Sequence, residues 1–566
     1  LGIISPINRL NASFSLNMPE KKNIAVISQS GATCTAILDW ANKKGVGFSH
    51  FVSMGNKSDL NENDFLEYFA KDENTKVVLG YLESITDGKE FLNLSNKITK
   101  EKPFILLKSG VSKQGQQAAR SHTAAMAADD LVLDQAFHEA GIIRAKNLGE
   151  MFEWSMVFSG LKQPKDNKTL IITNAGGPAV MATDAIAESK ELNFFELSRE
   201  QKTALRTKLP SRIALANPLD LQGDATSEDF ANVIKTLKAN KDASPDLKLV
   251  LLTPQSNTDI DTIAQVLADN KDGQTVVVFL GGQSFEKASQ ILAKAEIPTF
   301  LFPEDAICAL SKLAGYAAFR RKKNQSENYT AGIRKAAEKV LKKTRSLSDT
   351  DLANLLAAYR IPMADSRLTT NASQAIGVAQ KIGYPVVLKV TSPDILHKTE
   401  VGAVKLGISN DEELRLSYQE ILKNAKKHYP KANILGVTVY RMVRSSVEVA
   451  IGAKRDPVFG PFVMFGLGGI YIEVFKDFQL RLAPTSIEEA IKMIKEIKSF
   501  ALLNGYRNGE KYDLESLARA ISGLSKMMID FPDIEEVDIN PIRLDKINKG
   551  ILALDAKVVF NHDKNS

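Results

Sequence analysis

Cysteine is scarce in this sequence, and long hydrophobic runs are absent from it. Cys34 and Cys308 are the only cysteines and lie far apart, so neither a disulfide framework nor a cysteine-based zinc site is supported. No apolar run approaches the roughly 20 residues of a membrane span, and no signal-peptide pattern is present. We therefore predict a cytoplasmic protein with no membrane partner.

An excess of one charge sign is also missing. The chain has 73 Lys and Arg against 67 Asp and Glu, a net charge of +6 over 566 residues, and the two signs are interleaved. So dilute a charge does not favour nucleic acid as a partner. Apolar residues make up 44% and charged residues 25%, which excludes global disorder. The length predicts about three to five domains.

Short β-branched runs alternate with helical stretches through the first 330 residues. Strands are predicted at residues 23–28, 76–82, 103–108, 169–173, 247–253 and 275–280. Strands that alternate with helices imply parallel sheets with crossover helices. Because a polar linker at 162–168 separates two such series, we predict two successive doubly wound parallel-sheet domains, at 1–161 and 166–318.

The pattern changes after a basic stretch that we predict to be a helical linker, at 319–346. Helices are then predicted at 348–359, 411–428 and 486–500, and strands at 385–390, 436–440 and from 451 onwards. This order predicts a third, α+β domain at 347–566 with much antiparallel character.

Two small-residue turns follow apolar strands and precede helices. The first contains Ser30, Gly31 and Ala32, and the second contains Gly176 and Gly177. A helix start binds anions because its first amides are unsatisfied and the helix dipole adds positive charge. Each turn alone is more often tight packing, but two in successive domains predict two helix starts that converge on one phosphate.

Two histidines lie in small or polar loops, and each has an ordinary interpretation as a surface residue. His122 and His397 lack the spacing of a metal pair, so zinc is not predicted. A neutral imidazole is a competent nucleophile toward phosphorus. Such a ring needs a carboxylate to orient it, and Glu83, at the end of a predicted strand, is in a suitable position.

The predicted third domain contains one lysine and several oxygen ligands that could form a nucleotide and metal site. Lys389 lies on an apolar strand, where a lysine needs a partner such as a nucleotide phosphate. Asp538 and Asn540 end one strand, and Asp555 ends a neighbouring one. Oxygen-only ligands beside a nucleotide suit Mg²⁺.

Together these residues resemble the ATP-grasp fold and, in particular, the ADP-forming acyl-CoA synthetases (acetate–CoA ligase, ADP-forming), which are related to succinyl-CoA synthetase. The match runs in one order through the chain. Its motifs are Ile27-Ser28-Gln29-Ser30-Gly31-Ala32, Tyr81-Leu82-Glu83, Ser121-His122-Thr123, Asn174-Ala175-Gly176-Gly177-Pro178, Ser392-Pro393-Asp394-Ile395-Leu396-His397-Lys398, Arg455-Asp456-Pro457-Val458-Phe459-Gly460-Pro461, Met464-Phe465-Gly466-Leu467-Gly468-Gly469 and Asp538-Ile539-Asn540-Pro541.

The resemblance implies two flavodoxin-like domains, an ATP-grasp domain and a phosphohistidine relay. It implies that an acyl phosphate phosphorylates His122, that Glu83 holds the ring, and that His397 carries the phosphoryl group to ADP. The reversible reaction would make acyl-CoA, ADP and phosphate from ATP, a carboxylate and CoA. The two glycine turns would hold the phosphoryl group.

The resemblance also implies the ligands of the nucleotide site and the assembly state. Lys389, Glu448 and Arg481 would bind nucleotide, and Asn540, Asp555 and Asp538 would bind Mg²⁺. Because relatives usually assemble as dimers or larger, a homo-oligomer is expected. The substrates are small molecules, but the preferred acid, the direction and the choice of ATP or GTP stay open.

Two observations limit the resemblance. Thr123-Ala124-Ala125-Met126-Ala127 follows His122, where the family more often has Gly-Ser-Leu-Ala. The chain opens at Leu1-Gly2-Ile3. In relatives the matching segment follows a CoA-binding domain, so we expect such a domain to be missing upstream. Alternative interpretations are a non-catalytic homologue that binds nucleotide or acyl-CoA, a relative of lysine acetyltransferases without their acetyltransferase domain, and a carboxylate–amine ligase, which would need neither histidine.

Overall fold

The computed structural model describes residues 2–16, 18–112, 114, 130–239, 244–281, 285–321, 334–341, 347–392, 394–395, 398, 401–442, 447–468, 475–506 and 511–561. The chain divides into two compact units, Leu1–Gln325 and Ser326–Ser566. Within the described ranges, no helix combines the length and apolar character that a bilayer crossing requires.

The first part of the first unit is a doubly wound sheet. Its elements are β1 (Gly2–Ser5), β2 (Leu10–Ser13), β3 (Lys21–Ser28), α1 (Gly31–Lys44), β4 (Phe48–Ser53), α2 (Glu62–Lys71), β5 (Val77–Leu82), α3 (Gly88–Thr99), β6 (Phe104–Lys108), α4 (Asp130–Glu139), β7 (Ile143–Ala145) and α5 (Leu148–Gly160). The strand order is β2-β1-β4-β3-β5-β6-β7. The pairs from β4 to β7 are parallel, and β1 and β2 add an antiparallel edge.

A second parallel sheet completes this unit. Its elements are β8 (Lys168–Thr173), α6 (Gly176–Glu188), β9 (Asn193–Phe194), α7 (Arg199–Arg206), β10 (Leu219–Asp220), α8 (Ser227–Ala239), β11 (Leu247–Leu252), α9 (Ile260–Asp269), β12 (Thr275–Phe279), α10 (Glu286–Lys294), β13 (Thr299–Phe300) and α11 (Pro303–Arg321). The order is β10-β8-β11-β12-β13, with β9 beside β8. One apolar core extends from Val26 through Trp154 and Leu310 to Ile171, so α11 packs between elements of both sheets.

The second unit contains two antiparallel sheets. Its elements are α12 (Arg334–Leu341), α13 (Asp349–Ala358), β14 (Ser366–Thr369), α14 (Ala372–Ile382), β15 (Val386–Thr391), β16 (Val404–Ile408), α15 (Asp411–His428), β17 (Gly436–Arg441), β18 (Val447–Asp456), β19 (Gly460–Leu467), β20 (Phe478–Leu482), α16 (Ile487–Glu496), α17 (Phe500–Leu503), α18 (Leu514–Asp530), β21 (Ile534–Leu544), β22 (Ile551–Ala553) and β23 (Lys557–Phe560). The orders are β14-β17-β15-β16 and β20-β19-β18-β21-β22, with β23 beside β21.

The predicted fold class is confirmed: two doubly wound parallel sheets precede an α+β region whose strand pairs are antiparallel. Strand β11 and helix α15 begin at the predicted residues. The boundaries predicted for the separate domains and for the linker stay predictions.

One predicted helix is wrong in extent. The sequence predicts a helix over 486–500, but α16 ends at Glu496. The carboxylate of Asp477, which precedes β20, accepts the backbone N–H groups of Lys498 and Ser499, each at 2.8 Å. Those amides are thereby withdrawn from a continued helix, and a side chain distant in sequence sets the boundary.

Candidate active site

The first candidate site lies at the carboxyl ends of β3 and β5, and Gln29 organises it. Gln29 follows β3 and is buried. Its backbone N–H donates to the Tyr81 carbonyl at 2.9 Å. Its side-chain Oε1 accepts the backbone N–H of Glu83 at 2.9 Å and that of Ser84 at 3.0 Å. The structure therefore brings Glu83 beside the turn that contains Ser30, as parallel neighbouring strands require.

That turn starts α1 as predicted. Ser30 is the N-cap, and its hydroxyl accepts the backbone N–H of Thr33 at 3.2 Å. The first amides of a helix have no partner within the helix, so the amides of Gly31 and Ala32 suit an anion. The assignment of Ser30, Gly31 and Ala32 to phosphate binding stays a prediction.

The second turn starts α6 but carries a nearby negative charge. Gly176 and Gly177 are the first helical residues, and the N-cap Ala175 provides no side-chain hydrogen bond. The Asp220 carboxylate, at the end of β10, lies 3.3 Å from the position that a Cβ on Gly176 would take. A bound phosphate at this turn would therefore need a cation to offset Asp220.

Two lysines flank Glu83. Lys57 Nζ lies 2.6 Å from the carboxylate of Glu62, and both side chains are almost completely buried. Burial lowers the pKa of Lys57, and Glu62 opposes that shift. Lys108, at the end of β6, donates to the Glu83 carbonyl at 2.7 Å. Burial, with Lys57 and Arg144 nearby, lowers the pKa of Lys108 to about 8.

The two predicted catalytic histidines, His122 and His397, lie outside the described residues. Lys398, which follows His397, is described, and its backbone carbonyl accepts the N–H of Ala403 at 2.9 Å. The relay through both rings is therefore a prediction from the sequence.

The second candidate site lies in the second unit, where β15 meets the end of β22. Lys389 on β15 forms an ion pair with Asp555, although 166 positions separate the two residues. The backbone N–H of Leu554 donates to the Pro541 carbonyl at 2.9 Å and places Asp555 alongside Asn540. The structure thus brings the predicted phosphate-binding lysine and two predicted metal ligands together.

The third predicted metal ligand shares a face of β21 with Asn540. Asp538 and Asn540 flank the fully buried Ile539, so their side chains point away from the core. Loss of hydration, followed by the nearby carboxylates of Asp555 and Glu536, raises the pKa of Asp538. A carboxyl group whose pKa is raised by neighbouring carboxylates fits a divalent cation site.

The predicted metal ligands of this cluster, Asp538, Asn540 and Asp555, are all oxygen donors. Within the described part of the chain, no group of three or more His, Cys, Asp or Glu side chains is close enough to hold a metal ion. Two carboxylates and one amide suit Mg²⁺, which usually keeps several waters and binds substrate phosphates as well.

Two predicted nucleotide ligands lie on the sheet that contains β21, on strands β18 and β20, which β19 separates. Glu448 is at the start of β18, and its carbonyl accepts the N–H of Gly468 at 2.9 Å. Arg481 on β20 is buried and donates to the Glu496 carboxylate at 2.6 Å.

Further residues face the second site, and the sequence analysis assigned none of them a role. Thr438 on β17 donates to the carboxylate of Asp349 at 3.2 Å. Burial, then Asp349 and Asp555, raises the pKa of Tyr440. Burial, with Lys389 nearby, lowers the pKa of Lys398. An acidic residue in the first turn of a helix is common, so the sequence gave no reason to select Asp349. Lys398 could have been found, because it ends the motif at residues 392–398.

Comparison with known proteins matches family models to both units. A succinyl-CoA ligase like flavodoxin domain matches residues 21–158, and an ATP-grasp domain matches residues 338–560. The matched residues include Glu83 and the Ser30 turn in the first domain, and Lys389 and Asp555 in the second.

Relatives that match nearly the whole of this chain, and a solved structure, agree with these family models. An ADP-forming acetate–CoA ligase I of Archaeoglobus fulgidus is 37% identical over 100% of this chain and 81% of its own. An ADP-forming 4-hydroxybutyrate–CoA ligase of Nitrosopumilus maritimus is 36% identical over 97% of this chain and 80% of its own. A solved acetyl-coenzyme A synthetase 1 of Ca. Korarchaeum cryptofilum, in complex with phosphate and ADP, is 30% identical, with a TM-score of 0.54 over 56% of this chain and 70% of that one. The chain belongs to the family of ADP-forming acetate–CoA ligases.

Proposed function

We propose that this chain catalyses the reversible formation of acyl-CoA, ADP and phosphate from ATP, a carboxylate and CoA, through phosphohistidine and acyl phosphate intermediates. The observation that carries the proposal is the placement of Glu83 beside the start of α1, at the carboxyl edge of the first sheet. A carboxylate and a helix start are the groups that a phosphorylated ring requires.

The relay starts at the nucleotide. His397 takes the γ-phosphoryl group of ATP and passes it to His122. In each transfer a ring nitrogen supplies the electron pair of the new P–N bond, and the departing group keeps the electrons of the broken bond. Glu83 accepts a hydrogen bond from the other ring nitrogen of His122 and thus stabilises the charge that phosphorylation puts on the ring.

The acyl group is then activated. A carboxylate oxygen attacks the phosphorus on His122, the P–N bond breaks, and the acyl phosphate leaves the ring neutral. The thiolate of CoA attacks the acyl carbon, the C–O bond breaks, and phosphate departs with that oxygen. Thiol deprotonation releases one proton.

The nucleotide site is proposed to lie between β15 and β21. Lys389 would bind a nucleotide phosphate, and Asp555, Asp538 and Asn540 would hold Mg²⁺. Bound Mg²⁺ neutralises charge on the phosphoryl oxygens. Since Lys389 and Asp555 pair with each other, we propose that nucleotide and metal separate them. Glu448 and Arg481 stay proposed nucleotide ligands.

Phosphohistidine labelling tests this proposal. The chain is incubated with Mg²⁺ and ATP that carries ³²P at the γ-phosphate. We expect label that is labile in acid and stable in base, as a phosphoramidate is. His122→Ala should carry less of it, because only His397 can then hold the label, and the His122→Ala/His397→Ala double variant should carry none. A His122→Ala chain that takes up as much label as the parent would refute the relay.

A panel of carboxylic acids would identify the substrate. ADP release is measured with CoA, ATP and either acetate, 4-hydroxybutyrate or an aryl acid, since the relatives above act on the first two. We propose a cytoplasmic, homo-oligomeric enzyme, and light scattering after size-exclusion chromatography measures the assembly state.

A further inference from the structure

Three side chains from other elements hold the backbone of Glu83 and Ser84. Gln29 accepts both backbone N–H groups. Lys108 donates to the carbonyl of Glu83, and Lys57 donates to the carbonyl of Ser84, each at 2.7 Å. All four polar backbone groups of this dipeptide are therefore satisfied by side chains, which fixes the direction from which the Glu83 carboxylate leaves the chain.

The two lysines differ in how their charge is balanced. The Lys57 ammonium pairs with the buried carboxylate of Glu62. The Lys108 ammonium binds only carbonyl oxygens among the described residues, those of Glu83 and Ser109, and no carboxylate of those residues lies within 4 Å of it. A charged donor makes stronger hydrogen bonds than a neutral one, so Lys108 holds Glu83 most firmly while it is protonated.

We propose that Lys108 is a positioning residue for the phosphohistidine step: its ammonium group fixes Glu83 so that the carboxylate can hold the ring of His122. This inference rests on the proposed function. Lys108 is proposed to act through Glu83 alone.

Protonation of Lys108 should then control the rate in alkaline solution. Burial, followed by the charges of Lys57 and Arg144, lowers its pKa to about 8, whereas Glu83 and Asp130 oppose that shift. The ammonium form dominates below this pKa and is lost above it. The transfer rate should therefore fall as the pH rises through about 8.

Lys102 provides a matched control at the opposite end of the same strand. It precedes β6, whereas Lys108 ends it. Its ammonium also binds backbone carbonyls, those of Phe69 and Asp72 at 2.7 Å and that of Ala70 at 3.2 Å. Lys102 and Lys108 thus lie at opposite ends of β6. They share a bonding pattern, but only Lys108 binds Glu83.

The experiment measures phosphoryl transfer to His122 from acetyl phosphate that carries ³²P, so that the nucleotide site takes no part. Initial rates are compared for the parent chain, K108M, K108R, K102M, E83Q and the K108M/E83Q double variant, from about pH 6.5 to about pH 9.5. We expect K108M to lower the rate by about 10- to 100-fold, as a displaced catalytic group does. K102M should keep the parent rate.

Two further results are expected if Lys108 acts through Glu83. The double variant should be no more than about threefold slower than E83Q alone, because the two losses share one cause. K108R should recover most of the rate and move the alkaline fall upward, because arginine stays charged.

Three outcomes would overturn this inference but not the proposed function. K108M could transfer phosphoryl groups at the parent rate, or K108M and K102M could lose the same fraction of that rate. In the third outcome, the pH at which the rate falls in alkaline solution would be the same in K108R as in the parent. A parent chain that takes no label at His122 from either donor would overturn the proposed function and this inference with it. The two failures are therefore distinguishable.

Discussion

Burial changes the chemistry of single ionisable residues, and Glu153 is an example outside the candidate sites. This residue lies on α5, which packs against α11. Burial, followed by the charge of Asp305 on α11, raises the pKa of Glu153 to about 7. The folded chain therefore holds a proton here that the unfolded chain releases near pH 4.5.

Glu153→Gln should stabilise the chain in neutral and alkaline solution only. Because the folded pKa lies above the unfolded one, folding stability falls as the pH rises from about 4.5 to about 7, and the loss is complete above that range. Glutamine carries no charge to bury, so the variant should be more stable by about 1–3 kcal/mol at pH 8 and equal to the parent near pH 4.

Urea unfolding at the two pH values measures this difference. Glu188→Gln, at the exposed end of α6, is the control and should change the unfolding midpoint at neither pH. An E153Q chain with the same midpoint as the parent at pH 8 would contradict the prediction.

At the scale of elements, contacts between helices reverse what helix propensity predicts. Gly377 in α14 and Gly523 in α18 are both helical, and alanine in a helix is more stable than glycine by about 1 kcal/mol. A Cβ on Gly377 would meet no atom within 4 Å, whereas one on Gly523 would lie 2.0 Å from the backbone carbonyl oxygen of Tyr359. Tyr359 caps the end of α13, so α18 can approach that helix end only with glycine.

Gly377→Ala and Gly523→Ala should therefore act in opposite directions. We expect G377A to raise the free energy of unfolding by about 0.5–1 kcal/mol and G523A to lower it by about 1–3 kcal/mol, because a backbone oxygen has to move. Circular dichroism during urea unfolding measures both changes. Stabilisation of the same size by both alanines would show that the approach of α18 to Tyr359 is not close.

At the scale of the whole molecule, each unit has its own apolar core. The clusters of the first unit draw on residues between Ile4 and Tyr316, and those of the second on residues between Ala337 and Phe560. The proposed nucleotide and metal ligands lie in the second unit. That unit has the core and the site that independent folding and nucleotide binding require.

A chain of residues 326–566 alone should therefore fold and bind ADP with Mg²⁺. Within it, Lys389→Met should weaken nucleotide affinity by about 10- to 100-fold, the effect of losing a charged hydrogen bond. Isothermal titration calorimetry measures the affinity. Lys405→Met is the control, since Lys405 lies partly exposed on the adjacent strand β16 and pairs with Glu420. Equal losses in the two variants would contradict the assignment of Lys389.

The sequence by itself determined the fold class and the order of the elements. Periods of apolar residues report on local structure, because a buried strand or one helix face needs them at fixed spacing. The same patterns pointed to Glu83, the Ser30 turn, Lys389 and Asp555, since their residue types are informative at strand ends and helix starts. They failed at the end of α16, where Asp477 takes the amides of Lys498 and Ser499.

Only the tertiary structure decided which charged groups meet. It placed Lys108 on the carbonyl of Glu83, Asp220 beside Gly176, and Lys389 against Asp555. These partners are 25, 44 and 166 positions apart. The order and direction of strands bring such residues together, and electrostatic interactions act over ångströms in space rather than along the chain. The sequence thus indicated the chemistry of the two sites, and the packing of the sheets determined the charges that control it.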